Sequence, residues 1–513
     1  MSQAPSEPLP LDGLSLTLES LVAVARGAAP PALSADATAA MTRSREWVRG
    51  AQGRSAPIYG INTGFGSLAR VRIAAADTER LSRNLIRSHA AGVGPDVPAE
   101  LTRATMLLRA NALARGASGC RVELVGTLLA MLARGVTPVV PSFGSCGSSG
   151  DLAPLSHLGL VVFGEGGRAW IDGEELPGPE AMARAEIPTL RPVAKEGLAM
   201  TNGAQLTTAI AALALHDAWV LVRAAELAAA MSFEALLGVT RALHPAVHAL
   251  RPHPGAVACA ARLRALLEGS TLVDSLPDKV QDAYSLRCTP VVVGAARDAL
   301  TYATRAVEVE LNSVTDNPVI LVDAGLPAEA DLAFSAGLFH GEPVGIVADA
   351  ARVAVTEIAS ICERRLFRLT TGTLSSRLPP ALCGDDRPNL GMLVPQTTAA
   401  ALVSELKAYA WPATVDSIPT CEDQEDHVAM STTAAWRLRT AVEAARRVVA
   451  IELLCGARAL DVRAAESADA RFGVGARHGR PVVARATAGL RTPGEAIEAV
   501  AAAIADGAFE GVV

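Results

Sequence analysis

Between Ala204 and Met231 the chain is almost continuously apolar, interrupted only by polar residues such as His216, Asp217, Arg223 and Glu226. The stretch is far too long for a strand, and a membrane span would not tolerate that many charges, so it reads as a helix buried on all sides. It does not stand alone. Comparable helical patterns run over 203–239, 256–268, 291–313, 343–370, 395–410 and 428–463, with short polar loops between them. Aromatic residues make up only 4% of the chain, and long segments lack the Val/Ile/Thr/Tyr alternation of half-buried strands. The expected fold is therefore mainly all-α, with a long central helical bundle. So much apolar helix surface predicts continuation across subunits, and hence an oligomer.

Ahead of the bundle the pattern is mixed. An amphipathic start over 11–50 leads to the Gly-rich loop Tyr59–Gly66. Helical segments follow to about Gly92 and over 98–135, then Pro138–Pro141 and a Gly/Ser loop at 144–150. Residues 160–195 form the one mixed patch. Val161–Phe163 and Ala169–Ile171, around turns at Gly166-Gly167 and Asp172-Gly173, predict a small hairpin. Leu378–Pro388 reads as an exposed insertion. The expected division is 1–202, a region carrying the Gly/Ser loop, and 203–513, the long-helix bundle forming the oligomer core.

The formal net charge is −7 with no basic stripe, which argues against a nucleic-acid partner. The eight cysteines are scattered without a C-x-x-C pair, and read as reduced thiols of a cytoplasmic protein. No two His or Cys stand at finger or zincin spacing, so no metal is expected. Residues 1–10 are polar and Pro-rich and do not resemble a secretory leader, and no membrane association is expected.

The loop Ser142–Asp151 reads Ser-Phe-Gly-Ser-Cys-Gly-Ser-Ser-Gly-Asp and is followed by Leu-Ala-Pro-Leu-Ser-His. Small residues allow a tight fold, Asp151 can cap a helix, and Pro154 suits its first turn. By itself this is a turn leading into a helix, with phosphate binding as one use. There is no G-x-x-x-x-G-K-[ST] and no G-x-S-x-G, so neither a P-loop nor a hydrolase elbow is present.

The longer string Ser-Ser-Gly-Asp-Leu-Ala-Pro-Leu-Ser-His closely resembles the cofactor-forming segment of the aromatic amino acid ammonia-lyases and aminomutases, especially the histidine ammonia-lyases. The resemblance runs from about residue 55 to about 465. It implies a helical architecture of the fumarase/aspartase type, and a prosthetic group, 4-methylidene-imidazol-5-one, formed autocatalytically from Ser148, Ser149 and Gly150, with no metal or nucleotide. Ring closure joins the Gly150 nitrogen to the Ser148 carbonyl carbon, and a Cβ at 150 would obstruct it. Ser149 loses its hydroxyl. The family usually has Ala at the first position, where this chain has Ser148.

The other matches imply the surroundings. Tyr59 lies in the segment similar to the loop bearing the catalytic base, and such a tyrosine needs nearby positive charge or donors. His89, in Ser88–Gly94, resembles the histidine that meets the substrate side chain. Asn202, in Asn-Gly-Ala-Gln where the family usually has Asn-Gly-Thr-Gln, would bond the ring or the substrate carboxylate. Gln281 and Tyr284 would sit over the ring, and Arg287 would grip the α-carboxylate. Asn312–Pro318 resembles a support loop, and Phe339 supplies an aromatic wall. Gln424 and Glu425, in Gln-Glu-Asp-His, point to histidine. A carboxylate can take an imidazole N–H, and a phenyl ring would leave it unpaired. Leu338, Leu406, Trp411 and Cys421–Asp423 depart from the usual pattern near these segments.

The implied activity is elimination of ammonia from L-histidine to give trans-urocanate, in a homotetramer whose sites form where three chains meet. A 2,3-aminomutase would share these residues and return ammonia to the β-carbon. The fumarase–aspartase enzymes are a weaker alternative because their Gly-Ser-Ser-x-Met-Pro-x-Lys signature is absent. A helical scaffold without the ring is the non-enzymatic one.

Overall fold

The computed structural model describes residues 10–64, 70–326, 331–383 and 390–512. Phe65-Gly66 of the Gly-rich loop and residues 384–388 of the expected insertion lie outside them. Helix accounts for 58% of the chain and strand for 6%, so the protein is mainly α-helical as expected. The longest helices are Gln205–Ala235, Glu342–Thr370 and Ser431–Glu466. Among the described residues, Gln205–Ala235 is the one helix long and apolar enough to cross a membrane, yet 83% of its most apolar window is buried inside the protein. That is the burial of a core helix.

The chain divides into two compact units, each drawn from three segments. One comprises 1–213, 305–348 and 412–436, and the other 214–304, 349–411 and 437–513. In the first, the helix Ala99–Ala114 is buried along most of its length. The expected helix over 98–135 is in fact two, Ala99–Ala114 and Val122–Ala133. Gly116 and Gly119, both left-handed, turn the chain between them, and a Cβ at either would strike the Ala40 or Val48 region. The predicted hairpin also shifts. Val161 and Val162 belong to the helix Leu152–Val162, and the hairpin pairs Arg168–Ile171 with Glu174–Pro177, Ala169 opposite Leu176. Asp172 and Gly173, both at positive φ, form the two-residue turn that a right-twisted hairpin favours. Thr137–Pro138 adds the third strand.

In the second unit a buried ion pair ties three helices. Arg365 reaches Glu452 through Nε (2.6 Å) and Nη2 (2.8 Å), and Ser232 donates to the same carboxylate at 2.7 Å. Breaking such a pair would leave a charge stranded in the core.

Candidate active site

The strand Pro141–Phe143 pairs antiparallel with Val93–Asp96 and delivers the chain into the Gly/Ser loop. Two loop glycines, Gly147 and Gly150, are left-handed at φ +74°. A Cβ on Gly147 would run into Ser431, and one on Gly150 into the backbone of Gly203. Gly150 forms a parallel bridge with Gly203, and the Asp151 N–H donates to the Gly203 carbonyl at 2.6 Å. Asp151 occupies the N-cap position of Leu152–Val162, but its side chain makes no capping bond. Instead the fully buried carboxylate accepts from Thr207 N–H (2.8 Å), Thr207 Oγ1 (2.8 Å), Ser145 Oγ (2.7 Å) and Thr432 Oγ1 (3.2 Å). Burial pushes its carboxyl above the usual range, against those donors.

Ser149 faces two polar partners. Asn202 donates through Nδ2 to the Ser149 carbonyl at 3.1 Å, while Asn202 Oδ1 is buried without a hydrogen-bond partner. Arg109, fully buried, holds the Asn202 carbonyl at 2.6 Å and Gln205 Oε1 at 2.9 Å. Gln205 in turn donates to Thr315 at 2.6 Å, and Lys195 pairs with Asp316 at 2.6 Å in the support loop. On the other side stands Glu425. Ser148 Oγ donates to its Oε2 at 2.9 Å, Thr420 Oγ1 donates to the same oxygen, and Ser149 Oγ donates to Oε1. Burial works to raise the Glu425 carboxyl, but the bonds from Ser149, Thr420 and Ser148 outweigh it and hold it below the ordinary value.

These groups open onto a cavity of about 480 Å³. Of the residues singled out from the sequence, Tyr59, Ser148, Ser149, Asn202, Phe339, Gln424 and Glu425 line it. His89 ends the helix Thr78–His89, with Nδ1 at 2.9 Å from Ser88 Oγ, and is not among the lining residues. Burial lowers its imidazole, while the backbone at Leu85 and the charge of Glu425 act the other way. Gln281, Tyr284 and Arg287 belong to the second unit and do not line this cavity. Tyr284 is 71% exposed, with the Arg287 guanidinium 4.8 Å above its ring.

Several residues went unseen in the sequence. His340 and His427 line the cavity with ring centroids 5.6 Å apart, and a His340 ring nitrogen lies 3.2 Å from the His427 carbonyl. Glu342 brings a carboxylate oxygen within 4.8 Å of both rings' polar atoms. Their separation in the chain hides the grouping from any spacing rule. Arg109, Thr207 and Thr432 were missed because each is an isolated polar residue whose partner is remote in sequence. Polar side chains inside apolar helices are the only local sign of them.

The tripeptide and its cradle fit the prosthetic group that the sequence implies. Glycine is required at 150 by a close backbone approach, and the orphaned Asn202 Oδ1 and its donating Nδ2 lie beside Ser149.

The family model described as aromatic amino acid lyase matches residues 16–481. The chain belongs to this family. Among its aromatic-lyase relatives, the histidine ammonia-lyase of Gloeobacter violaceus is 47% identical over 504 residues, covering 97% of this chain and 96% of that protein. The histidine ammonia-lyase of Anaeromyxobacter sp. (strain K) is 49% identical, covering 89% of this chain and 91% of its own. Among solved structures of the family, the histidine ammonia-lyase of Trypanosoma cruzi matches with a TM-score of 0.88 and 36% identity, over 97% of this chain and 93% of that one. The tyrosine aminomutase of Streptomyces globisporus matches at 0.91 and 33% identity, over 98% and 97%. Two of the positions that depart from the usual family residues are exposed in the single chain of this aromatic lyase, Leu338 at 50% and Trp411 at 73%.

Proposed function

We propose that this protein eliminates ammonia from L-histidine to give trans-urocanate. The observation that carries the reading is Glu425, a half-buried carboxylate kept ionised by hydroxyl donors beside Ser149 in the cavity. An imidazole N–H can donate to its cavity-facing oxygen, whereas a phenyl side chain offers that oxygen no donor. The relatives named histidine ammonia-lyase support the same substrate.

The prosthetic group 4-methylidene-imidazol-5-one, formed from Ser148, Ser149 and Gly150, supplies an electrophile that makes the substrate amine a leaving group. The chain's own residues do the rest. Glu425, with Gln424 and His89, holds the imidazole. Phe339 walls the ring. Arg287 grips the α-carboxylate, and Tyr59 takes the β-proton from the substrate held in that grip. Asn202 donates at the Ser149 oxygen, where it stabilises negative charge that develops there. Residues 1–202 bring the cofactor-forming loop and 203–513 the helical bundle of a cytoplasmic homotetramer. Its sites form where three chains meet, so that Gln281, Tyr284 and Arg287 join the residues around Glu425. The 71% exposure of Tyr284 in the single chain supports this reading.

The test is a product assay. L-histidine should yield urocanate absorbance with one ammonia released per turnover. β-Histidine without net urocanate would establish the 2,3-aminomutase instead, a reading favoured by the likeness to the tyrosine aminomutase. A chain whose intact mass shows no loss of water would be the scaffold.

A further inference from the structure

We propose that Ser148, which stands where the family usually has alanine, is a positioning residue that anchors one oxygen of Glu425 and leaves the other for the substrate imidazole. The inference rests on the reading of Glu425 as the imidazole partner.

The two carboxylate oxygens are differently held. Oε2 accepts from both Ser148 Oγ (2.9 Å) and Thr420 Oγ1. Oε1 accepts from Ser149 Oγ. Ring closure distinguishes these donors. It removes two waters. One leaves as the Gly150 nitrogen bonds to the Ser148 carbonyl carbon: the carbonyl oxygen departs with the amide hydrogens of Gly150 and Ser149, and a double bond forms between that carbon and the Ser149 nitrogen. The other takes the Ser149 hydroxyl together with the Ser149 Cα hydrogen and leaves a carbon–carbon double bond. The Ser149 donor is therefore lost, and Oε1 is released toward the cavity. The Ser148 hydroxyl takes no part, because only its backbone carbonyl reacts. It remains as a donor to Oε2, and Ser148 is itself only 6% exposed, so water does not readily replace it.

A carboxylate gripped by two hydroxyls on one oxygen has a fixed plane, and its second oxygen presents a lone pair in a fixed direction. That is what an imidazole N–H requires. With alanine at 148, Oε2 would lose one of its two hydroxyl donors, leaving Thr420 on that oxygen and the Cys421 thiol bond to the carboxylate, and the carboxylate would be held less firmly. The other charged or titratable groups that interact with Glu425 are His89, Cys146 and Cys421. Cys421 also hydrogen-bonds the carboxylate through its side chain, whereas His89 and Cys146 act on it through charge. Ser148 thus acts in binding of the side chain, not in removal of the proton or departure of the amine.

The experiment compares Ser148→Ala, Ser148→Thr and Glu425→Gln with the parent enzyme on L-histidine, with rates normalised to the fraction of chain that intact mass shows to have lost two waters. Ser148→Ala should raise KM by about five- to tenfold, the weight of one hydrogen bond to a charged group shared with Thr420, with kcat changed less than KM. Ser148→Thr keeps a hydroxyl and should restore KM to within about twofold. A Ser148→Ala enzyme with parental KM, or a Ser148→Thr enzyme as impaired as Ser148→Ala, would overturn the role of Ser148 while Glu425→Gln still damages KM. If Glu425→Gln itself leaves KM and kcat unchanged, the imidazole reading of Glu425 fails, and this inference fails with it.

Discussion

Asn202 Nδ2 lies 3.1 Å from the backbone oxygen of Ser149, and the carbonyl of Asn202 is itself pinned at 2.6 Å by the buried Arg109. The donor is thus aimed before any substrate arrives, which is the arrangement that makes such a bond count in a transition state. Asn202→Ala should lower kcat for L-histidine by about 10²- to 10³-fold, the usual cost of removing one preorganised donor. Intact mass should still show loss of two waters, and the thermal midpoint should change little. An unchanged kcat would remove Asn202 from the chemistry.

The Asp151 carboxylate accepts four hydrogen bonds from three separate segments, at Ser145, Thr207 and Thr432. An amide at this position presents N–H groups where donors already converge. Asp151→Asn should cost about 1–3 kcal/mol in unfolding free energy, through donors left unpaired in a dry site. Because the same carboxylate ties the loop to its neighbours, a larger share of the variant should keep its full, uncyclised mass. Denaturant unfolding and mass spectrometry together check both effects.

Much of this protein was legible in its sequence, for identifiable reasons. Long helices announce themselves through sustained apolar periodicity, and the expected 343–370 is found as Glu342–Thr370. Tyr59, Asn202 and Glu425 were legible because each sits in a distinctive local string, and the fold brings them to one cavity. The errors are also physical. Val161 and Val162 have strand-like chemistry, yet helix packing took them, since a short apolar run carries no decisive period. Asp151 looked like a cap from its position, but its side chain turns from the local backbone to Ser145 in its own loop and to three remote donors on Thr207 and Thr432. Arg109 could not be recognised, because its function depends on partners more than ninety positions away.

Gly203 is the backbone partner of Gly150, at φ +147°, and a Cβ there would collide with Gln205 Oε1, Arg109 Nη1 and Thr315 Oγ1. It contributes no atom to the tripeptide. Gly203→Ala therefore separates the cradle from the cyclising residues. The added methyl should displace the Arg109–Gln205 contacts and the bridge to Gly150. Both the fraction of cyclised chain and the activity per cyclised chain should fall, read by intact mass and by urocanate formation. Full cyclisation with full activity would show that the cradle tolerates a shift of its backbone.

Glu310, near the end of the helix Thr289–Leu311, is pushed up to about 7 by burial, with the charge of Asp151 adding to the shift. The ordinary value for such a carboxyl is 4.5. The folded state therefore binds this proton more tightly than the unfolded chain. Its contribution to stability is fully present below pH 4.5 and is lost as pH rises through 7. Above that, Glu310 is ionised in both states and the contribution stays lost. Glutamine carries no such charge, so Glu310→Gln should gain thermal stability over the parent at pH 8 but not at pH 5. The gain should be on the order of 1 °C for each kcal/mol recovered in a chain of this length. Thermal midpoints of both proteins measured across pH 5 to 9 check this. A difference between them that is constant with pH would mean that the Glu310 carboxyl is not titrating in that window, and that its substitution acts through packing alone.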